Sequence, residues 1–307
     1  MWDPRSYTDS DFGLGEDEEF EPDEVGESEI DITVDRHIMT VLDPIFPEDL
    51  GICLPVEHVL IDPPNAQPDR QLNDPRRALE ELTSFVTAGG KAIVDSTDIE
   101  QGRDLVGLFD IARRVPVHLI CSTGPGIGLD GMLSEIREGI GPRSIRPGVI
   151  QSTNNPEPLS TAMKVSARTG LPLFIDGIPA AEAMTTAATT IVLSHQTPDR
   201  DVLTRILALG TRIAFTGIGS PMVGHDESIA RLLVDLNNDG FGRQLLISQQ
   251  LKWRSASHAW GGQPGLVYLL ERFTLILMEA GAEAGFVRQL LIDNPAAALT
   301  ISPPILS

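Results

Sequence analysis

The chain has 307 residues, of which 41% are hydrophobic and 22% are charged, as is typical of a soluble globular protein. Its formal net charge of −21 disfavours nucleic acids and anionic membranes as partners, because both are negatively charged. No apolar run is long enough to cross a bilayer, and the N-terminal residues lack the basic and apolar regions of a secretory signal.

Much of the negative charge lies at the N-terminus. Residues 1–31 carry 13 acidic side chains and the single Arg5, so they account for 12 of the 21 net negative charges. This composition predicts a disordered tail, followed by one folded domain at 32–307. Both a solubilising role and a docking role toward a basic partner are open for the tail.

The two cysteines, Cys53 and Cys121, both lie inside apolar segments. Such a placement is typical of reduced thiols in a protein core, and it predicts a cytoplasmic protein.

From residue 32 onward, short apolar segments alternate with amphipathic ones. The predicted strands are 51–62, 91–96, 117–121, 148–153, 171–177, 190–196, 212–219 and 244–250. The predicted helices are 73–88, 100–114, 129–139, 157–169, 180–188, 198–209, 226–239, 264–280 and 283–292. Continuous apolar strands that alternate with helices indicate a parallel sheet covered on its outer face. Eight such units predict an α/β fold, the (β/α)8 or TIM barrel, in which function lies at the carboxyl ends of the strands.

Several segments resemble the phosphotriesterase family of the amidohydrolase superfamily. The most specific are MTVLDPIFPEDLGICLPVEHVLID at 39–62, YLLERF at 268–273 and LLIDNPAAAL at 290–299. The resemblance implies a barrel of the amidohydrolase type with two metal ions at the strand ends. It also implies substrates that are phosphotriesters, lactones or related esters. In the family, four histidines, a carboxylated lysine and an aspartate bind the two metals.

The resemblance assigns these six ligand positions, in chain order, to Val56, His58, Gln151, Asp176, His195 and Gln250. Only His58 and His195 keep the family's residue. Glutamine cannot be carboxylated, and without the bridging carboxylate two like charges are hard to hold close together. The substitutions therefore predict that the binuclear centre is lost and that no cofactor is required.

The polar residues that remain at these positions predict a hydrogen-bonding pocket. His195 is the candidate general acid or base, Asp176 would orient it, and His58 completes the predicted catalytic set. Gln151 and Gln250 would bind the substrate. The alternative is a single divalent ion (Zn, Mn or Fe) held by His58, Asp176 and His195.

The loop after the last strand contains Trp253, Arg254 and His258, which we predict to bind a bulky substrate. A lid packed on top of the barrel is the alternative for this loop. Glu57 should face away from the pocket and be structural, and Asp95 should lie near the barrel interior.

Three functions are open at this point. The first is an enzyme that performs metal-independent acid/base chemistry on an ester, lactone or other carbonyl substrate, as in a specialised biosynthetic step. The second is an inactive relative, a pseudoenzyme that binds a ligand or partner. The third is a hydrolase with one metal ion. A small molecule is the expected ligand, and a homodimer is open.

Overall fold

The computed structural model describes residues 36–179, 189–193 and 199–301. The predicted tail at 1–31 and the predicted helix at 180–188 lie outside the described residues. None of the helices in the described ranges is long and apolar enough to cross a membrane.

Eight parallel strands form the barrel, which confirms the predicted fold. They are β1 Cys53–Glu57, β2 Ala92–Asp95, β3 His118–Thr123, β4 Val149–Thr153, β5 Leu173–Asp176, β6 Thr189–Leu193, β7 Arg212–Phe215 and β8 Leu245–Ile247. Each strand pairs with the next one along the chain, from β1 through to β8. Their carboxyl ends therefore meet on one face of the barrel.

Helices cover the outside of the sheet. They are α1 Pro75–Thr87, α2 Leu105–Ala112, α3 Gly128–Glu138, α4 Pro156–Thr169, α5 Arg200–Ala208, α6 His225–Leu236, α7 Thr274–Glu279, α8 Ala284–Arg288 and α9 Asn294–Leu299. Aspartate caps fix the first two, because Asp74 accepts from the main-chain N–H of Arg76 and Asp104 accepts from that of Gly107, each at 2.9 Å.

The amino-terminal end of the barrel is closed by elements that the sequence did not predict. A hairpin of two short strands, Ile38–Met39 and Pro44–Ile45, contributes the buried Ile38. The helices near the C-terminus of the chain continue through α9. Leu299 of this helix packs in the same apolar cluster as Ile38. Asn294 donates to the carbonyl oxygens of Gly242 and Leu245 at 2.8 and 2.6 Å, which ties α9 to β8.

Two apolar layers pack against the sheet. The inner layer fills the barrel with strand residues such as Val56, Val94 and Phe174, while the outer layer packs helices against strands. Cys53 and Cys121 are both buried and unpaired, as expected of core thiols. Burial raises the pKa of the Cys121 thiol to about 12.

The seam between β1 and β8 closes the barrel without a regular ladder among the described residues. The main-chain N–H of Val56 donates to Ser248 Oγ at 3.0 Å. In return, the N–H of Gln250 donates to the carbonyl oxygen of Val56 at 3.1 Å. Side chains and single main-chain bonds thus replace strand pairing at this one interface.

Glu57 accepts the remaining hydrogen bonds across the seam, and its side chain is fully buried. Its Oε1 accepts from Ser248 Oγ at 2.6 Å and from the N–H of Gln249 at 2.7 Å, and its Oε2 accepts from the N–H of Leu251 at 2.7 Å. Burial raises the pKa of Glu57 to about 7, although these donors favour the charged form. The side chain is not part of the cavity described below, in agreement with the structural role predicted for it.

We predict that Glu57→Gln lowers the free energy of unfolding by about 1–3 kcal/mol, the usual cost of an unsatisfied buried polar group. One amide nitrogen would replace an acceptor oxygen, so that a donor faces a donor. Chemical denaturation of the purified variant measures the change. Glu48→Gln, at an exposed position, is the matched control, and equal stability of both variants with the parent would contradict a role for Glu57 in the seam.

Candidate functional site

A cavity of about 540 Å³ opens at the carboxyl ends of the strands. This volume lies in the range of small-molecule sites. The strand ends contribute Val56, His58, Ser96, Gln151, Asp176, Val192 and Gln250 to its walls. The structure therefore brings together five of the six positions that the sequence assigned to the site. His195, the sixth, lies outside the described residues.

His58 is held by a hydrogen-bonded chain that starts in β2. Its Nδ1 lies 2.9 Å from Thr97 Oγ1, and the main-chain N–H of Thr97 donates to Asp95 Oδ1 at 2.9 Å. Burial lowers the pKa of His58 to about 3, and the nearby charges of Lys252 and Arg70 act in the same direction. The imidazole is therefore neutral at pH 7 and offers a ligand a hydrogen bond rather than a charge.

Asp95 is buried in the barrel wall, where the sequence placed it. Burial raises its pKa to about 6, and hydrogen bonds from Thr97 oppose that rise. Asp95 is not among the residues that line the cavity. Asp95 is connected to the cavity through Thr97, because it accepts from the Thr97 main chain and the Thr97 hydroxyl is hydrogen-bonded to the His58 ring.

The two glutamines are each held by a neighbouring hydroxyl group. Gln151 Nε2 donates to Ser96 Oγ at 3.0 Å, and Gln250 Oε1 accepts from Thr216 Oγ1 at 3.3 Å. The backbone of Gln250 has a φ of 55°, in the left-handed region that non-glycine residues seldom adopt. Both amides keep further donor and acceptor capacity for a ligand in the cavity.

Asp176 ends β5 with an exposed side chain that lines the cavity. In the sheet it lies beside Thr153 of β4 and Val192 of β6. Its charge favours the protonated form of Lys252, although burial lowers the pKa of that lysine overall. Lys252 itself is not among the residues that line the cavity.

The outer part of the cavity is acidic. Asp98 and Glu100 line it from the loop after β2, and Glu157 lines it from the first turn of α4. Arg103 also reaches it, but Glu135 binds that guanidinium at 2.6 and 3.1 Å, so its charge is largely compensated. Burial raises the pKa of Asp98.

The loop after β8 docks away from the cavity. Trp253, Arg254 and His258, which we predicted to bind substrate, are not among the residues that line the cavity. Arg254 instead donates from Nε to the carbonyl oxygen of Gln71 at 2.6 Å, and its guanidinium lies 3.8 Å from the Trp260 ring centroid. The substrate-binding role of these three residues and the alternative of a lid both stay predictions.

Glu81 of α1 holds this loop in place, although the sequence analysis did not single it out. Its Oε2 accepts from Ser257 Oγ at 2.7 Å and from the N–H of Ala259 at 2.8 Å, while Oε1 accepts from the N–H of Leu266 at 2.8 Å. The side chain is only 6% exposed. An acidic residue on the buried face of an amphipathic helix was the signal available in the sequence.

The charges of Lys252 and Arg70 act on His58, although neither residue lines the cavity and neither was predicted from the sequence. Arg70 lies 5.0 Å from the Trp253 ring centroid, so the loop after β1 contacts the loop after β8 at the residue that follows Lys252. Lysine is rare in this chain, with only three residues, and Lys252 follows the last strand by a few residues. A rare lysine just after a barrel strand was the feature of the sequence that could have indicated Lys252.

Comparison with known proteins identifies relatives across most of the chain. A profile of the phosphotriesterase family matches residues 36–299. The phosphotriesterase homology protein of Escherichia coli is 22% identical over 283 residues, which cover 80% of this chain and 97% of that protein. The N-acetyltaurine hydrolase of Tetraodon nigroviridis is also 22% identical and covers 86% of this chain and 97% of its own. A solved lactonase from Listeria monocytogenes superposes with a TM-score of 0.80 at 20% identity, covering 87% and 99% of the two chains.

We predict that Glu81→Gln loosens the loop at 251–266 and leaves the barrel folded. The amide cannot accept from all three donors, so main-chain N–H groups of the loop should exchange with solvent faster. Hydrogen exchange read by mass spectrometry measures this change. Glu80→Gln, its exposed neighbour on the same helix, is the control. Unchanged exchange in the Glu81 variant would show that the loop does not depend on this carboxylate.

Proposed function

Because this chain belongs to the phosphotriesterase family, we propose that it is an enzyme that hydrolyses an ester, lactone or amide by acid/base chemistry. In this proposal the family's binuclear metal centre takes no part. The supporting observation is the cavity itself, which is open and lined by polar groups at the family's ligand positions. The tryptophans of the loop after β8 pack against Arg70, Arg77 and Arg254 rather than filling the cavity.

The donor chemistry supports a site without two metals. Val56 has no donor atom, and Gln151 and Gln250 are neutral amides that are already hydrogen-bonded to hydroxyl groups. Divalent ions in paired sites need anionic or imidazole ligands and a bridging carboxylate. The described residues do not fit such a pair, and no step of the proposed reaction uses one.

In the proposed reaction, His195 takes a proton from a water molecule whose oxygen attacks the carbonyl carbon. Asp176 orients the imidazole and stabilises its charged form. The amide N–H groups of Gln151 or Gln250 donate to the oxyanion that forms. The tetrahedral intermediate then breaks the bond to the alcohol or amine, which receives the proton from His195, and a carboxylic acid is left.

His58 has a separate role in this proposal. A neutral imidazole that is fixed by Thr97 at Nδ1 can bind the substrate through its other ring nitrogen. The lactonase and the N-acetyltaurine hydrolase among the relatives support this substrate class, since a lactone and an N-acetyl amide both present a carbonyl carbon to attack.

The alternative function is that of a hydrolase with a single metal ion, and one observation favours it. His58 and Asp176 both line the cavity, and either residue type can bind a divalent ion. Within the described ranges no group of three such residues is assembled. The third ligand of this alternative would be His195.

We expect protein purified without added metal or chelator to contain much less than one equivalent of zinc, manganese or iron by elemental mass spectrometry. Two equivalents would refute the proposal and restore the family's usual chemistry. One equivalent, lost in a His195→Ala variant, would favour the mononuclear site on His58, Asp176 and His195.

We further predict hydrolysis of at least one member of a panel of lactones, esters and N-acyl amides, with a rate that a chelator does not reduce. Asp176→Asn should lower kcat about 10²–10⁴-fold, because a neutral amide cannot stabilise the charged imidazole. Asp110→Asn, on the exposed face of α2, should retain full activity. Binding of panel members without any turnover would favour a pseudoenzyme.

A further inference from the structure

A group of arginines lies at the amino-terminal end of the barrel, on the face opposite the cavity. Segments 111–117 and 139–148 lead into β3 and β4, whose amino ends lie on that face. Together the two segments contain no acidic residue and four exposed arginines, which we call the arginine patch: Arg113, Arg114, Arg143 and Arg146.

Side-chain and main-chain contacts bring the two segments together. The guanidinium of Arg143 lies 4.3 Å from the ring centroid of Phe109 in α2. Arg113 follows Phe109 by four residues, and its N–H donates to the Phe109 carbonyl oxygen at 3.2 Å, so both side chains lie on one face of this helix end. The turn that carries Arg143 is closed by reciprocal main-chain bonds between Ile140 and Ile145, at 2.8 and 3.2 Å. Arg113 and Arg143 are therefore neighbours on an ordered backbone.

The positive charge of the arginine patch is not compensated by ion pairs. Within the described ranges, none of its four guanidinium groups pairs with a carboxylate. Asp110 and Glu138 are exposed and lie close by along the chain, but neither forms an ion pair with the patch. Guanidinium groups bind carboxylates through two parallel hydrogen bonds, so the patch keeps the capacity to bind an acidic segment.

The acidic tail joins the folded domain beside this patch. The described chain begins at Arg36 and enters the hairpin at the amino-terminal end of the barrel. There, a Cβ atom at Gly148 would collide with the carbonyl oxygen of Met39. The N–H of Val41 donates to the carbonyl oxygen of Leu119 in β3 at 2.8 Å. The hairpin thus packs directly on the segments that carry the arginines.

The charge and length of the tail fit the patch. Seven of the nine residues at 16–24 are acidic, and residue 24 precedes Arg36 by 12 positions. An extended chain spans about 3.3 Å per residue, so this acidic segment can lie up to about 40 Å from Arg36. That reach is ample for a patch at the same end of the barrel.

We propose that the acidic segment at 16–24 docks on the arginine patch of its own chain. Because the segment is tethered beside the patch, its effective concentration there is high, and it occupies the arginines ahead of other polyanions. The inference is independent of the proposed function, since the patch and the cavity lie at opposite ends of the barrel.

A spin label in the tail of the full-length protein tests this docking by NMR. Cys53 and Cys121 are buried, so a nitroxide attached to a Ser10→Cys variant modifies the tail alone. We expect the label to broaden the amide signals of segments 111–117 and 139–148. Signals of α6, on the opposite side of the barrel, should stay sharp. Salt at about 1 M, where the Debye length falls to about 3 Å, should abolish the broadening.

A pair of charge variants separates the patch from a general effect of net charge. Arg113→Gln combined with Arg143→Gln should remove most of the broadening. Arg205→Gln combined with Arg272→Gln removes the same charge from exposed positions elsewhere and should leave the broadening unchanged. Thermal unfolding of both double variants shows whether each remains folded.

Three outcomes would overturn the proposal. The first is the absence of broadening at low salt, and the second is broadening spread evenly over the surface. The third is broadening that persists in the folded Arg113/Arg143 double variant. A mixture of spin-labelled chains with isotope-labelled chains that carry no spin label provides a further test. Broadening of the same strength in that mixture would assign the docking to a second copy of the chain and would refute the intramolecular contact.

Discussion

A single buried carboxylate joins the first and last strands of the barrel. β1 and β8 are neighbours that share no ladder within the described residues, and Glu57 bridges them by accepting from Ser248, Gln249 and Leu251. The same few residues reach the cavity, because Val56 precedes Glu57 and Gln250 lies between two of its donors. The position of the site is thus a consequence of how the sheet closes.

The cavity combines an open shape with neutral side chains at several strand ends. Gln151 and Gln250 contribute amides to its walls, and Val56 contributes an apolar side chain. Neutral groups cannot balance the acidic residues of the outer cavity. Burial keeps the His58 imidazole neutral as well, and the nearby charges of Lys252 and Arg70 act in the same direction.

The sequence predicted the barrel because each strand is a short apolar run bounded by glycine, proline or aspartate. It also predicted that His58, Gln151, Asp176 and Gln250 meet, since the ends of parallel strands share one face. It did not predict where the loop after β8 packs. That loop is held by Glu81, more than 170 residues earlier in the chain, and no local pattern encodes such a contact. The closing hairpin was missed because two-residue strands carry no periodicity.

The stacking of Arg70 on Trp253 has a consequence for how docking of the loop after β8 can be observed. The chain has three tryptophans, and two of them, Trp253 and Trp260, lie under guanidinium groups in the docked loop. Indole emission depends on nearby charge, because the excited ring is more polar than the ground state. Any movement that separates Arg70 from the Trp253 ring would therefore change the electric field at the indole. The protein thus contains its own fluorescent reporter of how the loop after β8 is docked.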